Sequence, residues 1–222
     1  MFIVIHQAYE LWFKELLFEL ESVRDLISSA DVQEALHLLQ RVHRVEHVLI
    51  EQVPVLESMS PQDFLEFRTQ LAPASGFQSV QFREIEFISG LKDERYLARL
   101  GDDPEAGARL RKRLEEPTLW DAFCELIESR GLPMPRHDRT ARRRSLITVI
   151  ADRSAFGDEF YLSEALLSHD EAFALWRMRH MLMVERQIGS KSGTGGSTGA
   201  SYLRTTLGKR FYPELWELRG YL

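Results

Sequence analysis

Apolar residues recur every three or four positions along most of this chain, and that spacing limits the fold more than any other feature of the sequence. Between Phe2 and about Ile27 it places the following residues on one helical face: Phe2, His6, Tyr9, Phe13, Leu16, Leu17, Leu20 and Val23. Sustained alternation of apolar and polar residues, which is typical of strands, is missing, so few strands are expected. The sequence therefore predicts an all-α protein, a single-domain helical bundle over residues 1–222.

The same spacing, together with residues that favour helix starts, predicts the remaining elements. Ser60 and Pro61 suit the N-cap and the first position of a short helix that stops at Pro73. Further helices are predicted at about 31–56, 78–88, 105–114, 119–129 and 163–188. A basic segment, RHDRTARRR at 136–144, follows two prolines and is interpreted as a solvated loop rather than an anion-binding patch.

Charge and composition narrow the range of partners and compartments. A formal net charge of −6 argues against a nucleic-acid interface over the whole domain. The sequence lacks an apolar run of about 18 residues, so no membrane span is expected. We also expect no signal peptide, because the apolar opening has no basic leader and no small-residue cleavage site. The single cysteine, Cys124, excludes an internal disulfide and fits a reducing cytoplasm.

Two motif-like stretches do not match the sites that they first suggest. The segment GSKSGTGGSTG, Gly189–Gly199, follows a helix rather than a strand and has its lysine in the wrong place for a phosphate-binding loop. The same segment does not match the glycine pattern that is typical of dinucleotide-binding sites. His43 and His47 are four residues apart on one helical face, which is a spacing that can hold a metal. Without a third candidate ligand nearby, we interpret them as a partly exposed structural pair.

Three other residues have two interpretations from the sequence alone. His180 lies among apolar residues at helical spacing, so it is either a satisfied core histidine or an axial ligand of a haem. His6 is flanked by apolar residues in the same way and has the same structural alternative. Arg68 falls on a short apolar helix, where a guanidinium is costly unless it meets an anion. That anion is either an internal acid or a ligand.

Three long blocks carry a resemblance to a known family. They are FIVIHQAYELWFKELLFELESVRDL, then SPQDFLEFRTQLAPASGFQSVQFREIEF, then LWRMRHMLMVERQIGSKSGTGGSTGASYLRTTL. In this order they resemble the haem-dependent tryptophan 2,3-dioxygenases, while the middle of the chain, about 91–162, is generic. The resemblance implies haem b, ferrous in the active form, in an all-α bundle. It also implies a homotetramer that uses O2 to open the indole ring of L-tryptophan at C2–C3, giving N-formyl-L-kynurenine.

The resemblance also implies roles for individual residues. His180 matches the proximal histidine that ligates the haem iron, and His6 matches the distal histidine near the indole N–H. Residues that match substrate contacts are Phe2, Phe64 and Leu71 around the indole, Arg68 at the carboxylate, Ser75 beside the haem and indole, and Thr194 at the amino-acid end. The glycine-rich stretch then matches a mobile cover that closes over a bound amino acid and excludes water.

Two other functions are compatible with this resemblance, and the sequence differs from the family in one respect. A helical protein of this kind could keep the fold and bind haem without turnover, or could act on a substituted tryptophan or insert one oxygen atom. Family members usually carry a segment before the block that starts here at Phe2, with aromatic residues that reach a neighbouring subunit's pocket. If the natural protein begins at Met1, part of the substrate wall is expected to be missing; if the natural chain begins earlier, the site is incomplete only in this sequence.

Overall fold

The computed structural model describes residues 1–71, 76–99, 103–195 and 197–222. This part of the chain contains ten α-helices and four short 3₁₀ turns, without a β-strand, which confirms the all-α prediction. The helices are α1 (Phe2–Ser28), α2 (Val32–Glu57), α3 (Pro61–Phe67), α4 (Val80–Ser89), α5 (Pro104–Glu115), α6 (Leu119–Ser129), α7 (Arg139–Ala151), α8 (Gly157–Ile188), α9 (Ala200–Thr206) and α10 (Pro213–Leu218). None of these described helices combines the length and apolar character that crossing a membrane requires.

The main core forms where α2 packs against both α1 and α8. Leu16 and Leu20 of α1, Leu39 of α2, and Leu162 and Leu166 of α8 are completely buried there. Burial of each such side chain contributes roughly 1.5–3 kcal/mol, so the repeated apolar faces hold the three long helices together.

The predicted apolar face of α1 is only partly a core face. From Tyr9 onward its members are buried, as expected. At the start of the helix, however, Phe2 is half-buried and His6 is exposed. The interpretation of His6 as a core histidine is therefore wrong, because the first turns of α1 extend beyond the core.

Buried polar contacts fix the position of α8. Its residue His169 contacts Glu46 of α2 through Nδ1, and its Nε2 lies 2.8 Å from Ser89 Oγ of α4. The next side chain, Asp170, is completely buried. Its Oδ2 accepts three hydrogen bonds, each 2.9 Å long, from Phe211 N, Tyr212 N and Trp216 Nε1. Since buried polar groups are costly without partners, these contacts hold α8 in one position against its neighbours.

His43 of α2 forms a further link to α8. Its Nε2 donates a hydrogen bond of 3.0 Å to the Ala165 carbonyl, and the side chain is half-buried. His47, one turn later, is exposed. The hydrogen bond gives His43 the structural role that was expected for it.

Two helix boundaries differ from the prediction. Ser60 and Asp63 form a reciprocal capping box, and Pro61 occupies the first helical position, so the predicted start of α3 is confirmed. The α-helix ends earlier than predicted, at Phe67, and continues as a 3₁₀ turn over Arg68–Leu71. Helix α8 starts at Gly157 rather than near Ser163. Asp158 and Glu159 lie in its first turn, and they favour that earlier start because negative side chains stabilise the positive end of the helix dipole.

The interpretation of 136–144 as a solvated loop is wrong for its second half. Asp138 caps α7 by accepting a hydrogen bond from Ala141 N, so the helix begins at Arg139. Arg142 is buried, with its Nε 2.9 Å and its Nη2 2.6 Å from the Glu214 carboxylate. Glu214 lies 72 residues further along the chain, so local sequence gave no indication of this partner.

We expect Arg142→Leu to destabilise the protein strongly, because the substitution leaves the Glu214 carboxylate without its buried partner. Breaking a buried pair on one side costs about 3–5 kcal/mol. Chemical denaturation measures this loss, and Arg144→Leu, at an exposed position of the same helix, is the matched control. Equal midpoints for the two variants would contradict the structural role of the Arg142–Glu214 pair.

Candidate active site

A cavity of about 310 Å³ lies among α1, the end of α2, α3, α4, α8 and the segment that follows α8. Its walls are largely apolar, with contributions from Phe2, Tyr9, Phe13, Val53, Leu56, Phe64, Phe82, Trp176, Met183 and Val184. Small-molecule sites commonly have volumes of about 300–1,000 Å³ and combine apolar walls with a few polar groups. The polar groups of this cavity therefore indicate what it can bind.

His180 lies on the cavity wall, contributed by α8. Its ring stacks on Trp176, with centroids 5.1 Å apart and an interplanar angle of 3°. Burial lowers the pKa of His180 to about 4, with a smaller contribution from the charge of His6. The imidazole is therefore neutral at neutral pH, which is the form that ligates a metal.

His6 lines the same cavity from α1, next to Phe2. The two ring centroids are 4.2 Å apart. His6 Nδ1 lies 2.8 Å from the Phe2 carbonyl oxygen, which can only accept, so Nδ1 carries the hydrogen. In the neutral ring this leaves Nε2 as an acceptor for an N–H donor.

Helix α3 brings Phe64 to the cavity, and the 3₁₀ turn that follows it brings Arg68. The Phe64 ring lies 5.7 Å from that of Phe2, so the two form a continuous aromatic surface. Arg68 Nη2 donates to the backbone carbonyl of Ser192, in the glycine-rich segment. Among the described residues, no carboxylate lies within ion-pair distance of Arg68. In this part of the chain the guanidinium is therefore not paired with an internal acid.

The glycine-rich segment, 189–199, covers one side of the cavity, and both Gly193 and Thr194 are among the lining residues. Gly193 N donates a hydrogen bond of 2.9 Å to the Ser197 carbonyl, which closes a tight turn. Gly199 has a φ of +63°, in the region that favours glycine. The glycines thus allow a folded segment that reaches Arg68.

The structure brings together six of the eight residues singled out from the sequence: Phe2, His6, Phe64, Arg68, His180 and Thr194. Leu71 belongs to the 3₁₀ turn after α3 and is absent from the cavity lining. Ser75 falls outside the described residues.

Sequence reasoning missed a group of charged residues on the cavity wall, namely Arg83, Glu86 and Arg177. Arg83 and Glu86 are three residues apart on α4, and Arg177 is three residues before His180 on α8. Residues three apart lie on the same face of a helix. The positions of these charged residues relative to apolar neighbours were therefore the sequence signal that could have identified them.

An all-α fold with an apolar cavity lined by two imidazoles and three guanidiniums defines a class of small-molecule or cofactor-binding helical proteins. Comparison with known proteins narrows this class. The family model described as tryptophan 2,3-dioxygenase matches residues 1–141 and 136–222. The chain belongs to the tryptophan 2,3-dioxygenase family.

Individual relatives match over nearly the whole chain. A protein of Nocardioides sp. named tryptophan 2,3-dioxygenase is 54% identical over 227 residues, which cover 100% of this chain and 84% of that protein. Proteins with the same name from Herpetosiphon aurantiacus and Caulobacter vibrioides are 42% and 40% identical, over 99% of this chain. These matches cover 87% and 88% of the two relatives.

Proposed function

We propose that this protein is a haem-dependent dioxygenase that cleaves the indole C2–C3 bond of L-tryptophan with O2, giving N-formyl-L-kynurenine. This reaction is the first step of tryptophan catabolism by the kynurenine pathway. The observation that carries the proposal is the convergence of His6, Arg68, His180 and Thr194, from separate parts of the chain, on one apolar cavity. Membership of the tryptophan 2,3-dioxygenase family supports the same conclusion.

The residues of the cavity fit a haem b. His180 contributes a neutral imidazole to a cavity that Phe82 and Met183 also line, and a haem site requires such an imidazole among apolar side chains. His180 would hold the haem iron through its imidazole, and its stack on Trp176 would fix the orientation of that imidazole ring. When bound, the haem in its ferrous form supplies the activation of oxygen.

The substrate would be held by groups at both of its ends. Phe2 and Phe64 offer apolar faces for the indole ring, and the family resemblance would add Leu71 and Ser75, although Leu71 does not line the cavity. Arg68 would exchange the Ser192 carbonyl for the substrate carboxylate, which makes a stronger, charge-assisted pair. Thr194 would contact the amino-acid end.

His6 would orient the indole rather than remove its proton. The Nδ1–H bond to the Phe2 carbonyl leaves Nε2 free to accept from the indole N–H. The indole N–H is only weakly acidic, so a hydrogen bond that fixes the ring position is the role that its chemistry supports.

The glycine-rich segment would act as a cover that excludes water from the site. Its contact with Arg68 links closure of the segment to the residue proposed to bind the carboxylate. A bound amino acid would thereby change the contacts that hold the segment. Exclusion of water strengthens the charged contacts inside.

We expect Gly199→Ala to weaken L-tryptophan binding by about tenfold or more, because strain of 1–3 kcal/mol at a positive φ would displace the cover. An added Cβ would also clash with the Lys191 carbonyl oxygen. Titration of the haem-loaded protein with L-tryptophan measures the effect. Gly208→Ala, where an added Cβ meets nothing within 4 Å, is the control. Unchanged binding in the Gly199 variant would show that the cover does not contribute.

We further propose that the protein works as a homotetramer in the cytoplasm. Ile3, Val4, Leu11 and Phe18 of α1 are each 64–71% exposed, which is unusual for large apolar side chains. Val4, Leu11 and Phe18 are seven residues apart and therefore form one stripe along α1. Such a stripe is suited to helix packing between subunits.

The function is tested by turnover. Purified protein loaded with haem and reduced under argon should form N-formyl-L-kynurenine when O2 and L-tryptophan are added, and mass spectrometry detects the product. Ring-methylated and β-methylated tryptophans are the comparison substrates. Equal or better turnover of an analogue would count against L-tryptophan as the substrate, since one methyl group is worth about 1–3 kcal/mol in a fitted pocket.

A further inference from the structure

Two buried arginines share one carboxylate on the cavity wall. Glu86 of α4 accepts from Arg83 Nη1 at 2.5 Å through Oε2 and from Arg177 Nη2 at 3.0 Å through Oε1. The exposed fractions of Arg83, Glu86 and Arg177 are 7%, 1% and 4%. All three residues line the cavity.

Aromatic side chains complete the surroundings of the arginines. The Arg83 guanidinium lies 4.0 Å from the Tyr96 ring centroid, and Arg177 lies 5.2 Å from that of Phe211. Lys209 adds a third cation nearby, with its Nζ donating to the Tyr96 hydroxyl at 2.9 Å. The two guanidiniums are therefore held rigidly and presented at the cavity wall.

The charges of this cluster do not balance. Among the residues that the structure describes, Glu86 is the one carboxylate within ion-pair distance of either guanidinium. Two buried positive charges thus face one negative charge. In addition, Arg83 Nε is buried without a hydrogen-bond partner. Because uncompensated buried charge is costly, the cluster is suited to an anionic group that enters from the cavity.

The cluster lies at a different position along α8 from the proposed amino-acid site. Arg68 contacts the segment that follows Ile188, the last residue of α8, whereas Arg177 lies eleven residues before that end. At 1.5 Å per residue, this separation is about 16 Å along the helix. Arg177 is instead one helical turn from His180. The anion that binds here therefore belongs to a ligand beside His180.

We propose that Arg83 and Arg177, braced by Glu86, form a carboxylate-binding subsite that takes the propionate groups of the haem. The inference rests on the proposed function, because haem is the ligand that the proposal places at His180. Guanidinium groups are well suited to this task, since their planar N–H groups match a carboxylate.

The test uses the full chain, freed of haem and titrated with haemin or with haemin dimethyl ester, in which the propionates are neutral. We expect the wild-type protein to bind haemin about tenfold or more tightly than the ester, as a charge-assisted contact predicts. Arg83→Gln should weaken haemin binding by a similar factor and leave the affinity for the ester within about twofold of the wild-type value. The variant should therefore lose the preference for haemin over the ester. Arg83→Lys should restore part of it.

Arg113→Gln is the matched control. Arg113 is also a buried arginine paired with glutamates, but it does not line the cavity. This variant should keep the preference for haemin. Equal affinities of the wild-type protein for haemin and the ester would overturn the inference, even if Arg83→Gln failed to fold.

Other outcomes separate the possible carboxylates and the two proposals. If Arg83→Gln weakened L-tryptophan binding and kept the preference for haemin, the substrate carboxylate would occupy the cluster and the inference would be wrong. If the wild-type protein bound both porphyrins equally and still formed product, the proposed function would remain supported and the inference about the propionates would be wrong. Failure of the wild-type protein to bind either porphyrin would remove both proposals.

Discussion

The His180→Ala protein is expected to be purified almost without haem, while its fold is retained. His180 contributes an imidazole to the cavity wall, and burial keeps that imidazole neutral and ready to ligate a metal. Without it, the porphyrin would keep only apolar contacts and the proposed contacts of its propionates, with no side chain bound to the iron. The haem content per chain, measured as the pyridine haemochrome, reports the effect, and circular dichroism checks that the helices remain.

Two controls make this prediction specific to the axial ligand. His37→Ala, at an exposed position on α2, should retain the wild-type haem content. Added imidazole should restore a histidine-like spectrum to His180→Ala, since it can occupy the space that the side chain leaves. A normal haem content in His180→Ala would remove His180 as the ligand.

The second large effect is expected for Arg68→Leu, which should weaken L-tryptophan binding by about tenfold to more than a hundredfold. The reason is the loss of the charged hydrogen bonds proposed for the substrate carboxylate, worth roughly 1.5–3 kcal/mol. Indole, which lacks the carboxylate, should bind almost as it does to the wild-type protein. Titrations of both compounds with the haem-loaded protein measure the difference.

The comparison of the two ligands separates a binding role from a structural one. Arg68 also bonds the Ser192 carbonyl, so its replacement could disturb the glycine-rich segment. Such a disturbance would weaken the binding of L-tryptophan and the binding of indole by similar factors. That result would contradict the proposed contact between Arg68 and the substrate carboxylate. Arg44→Leu, at an exposed position on α2, controls for the loss of a positive charge.

Local sequence predicted seven of the ten described helices and missed α7, α9 and α10, and it gave little indication of which helices pack together. The apolar face of α1 and the capping box of α3 depend on neighbours within one or two helical turns, so both could be predicted. The pairing of Arg142 with Glu214 depends on two segments that meet only in the folded chain. A run of basic residues therefore suggested a solvated loop where a buried ion pair stabilises the start of α7.

The same limit applies to the candidate site. Periodicity left His180 and Arg68 with two interpretations each, and their roles came from the family resemblance. The structure then brought both residues to one cavity and placed a carbonyl of the glycine-rich segment against Arg68. Arg83 and Arg177 were not predicted, because their shared contact with Glu86 joins α4 to α8 across 91 residues.

The most direct test of the central claim is a turnover experiment with isotopically labelled O2. The haem-loaded protein, reduced under argon, would receive L-tryptophan and doubly labelled O2, and mass spectrometry would count the labelled atoms in the product. The dioxygenase account predicts N-formyl-L-kynurenine that carries both labelled oxygen atoms. A product with one labelled atom, or haem-loaded protein that forms no product, would contradict it.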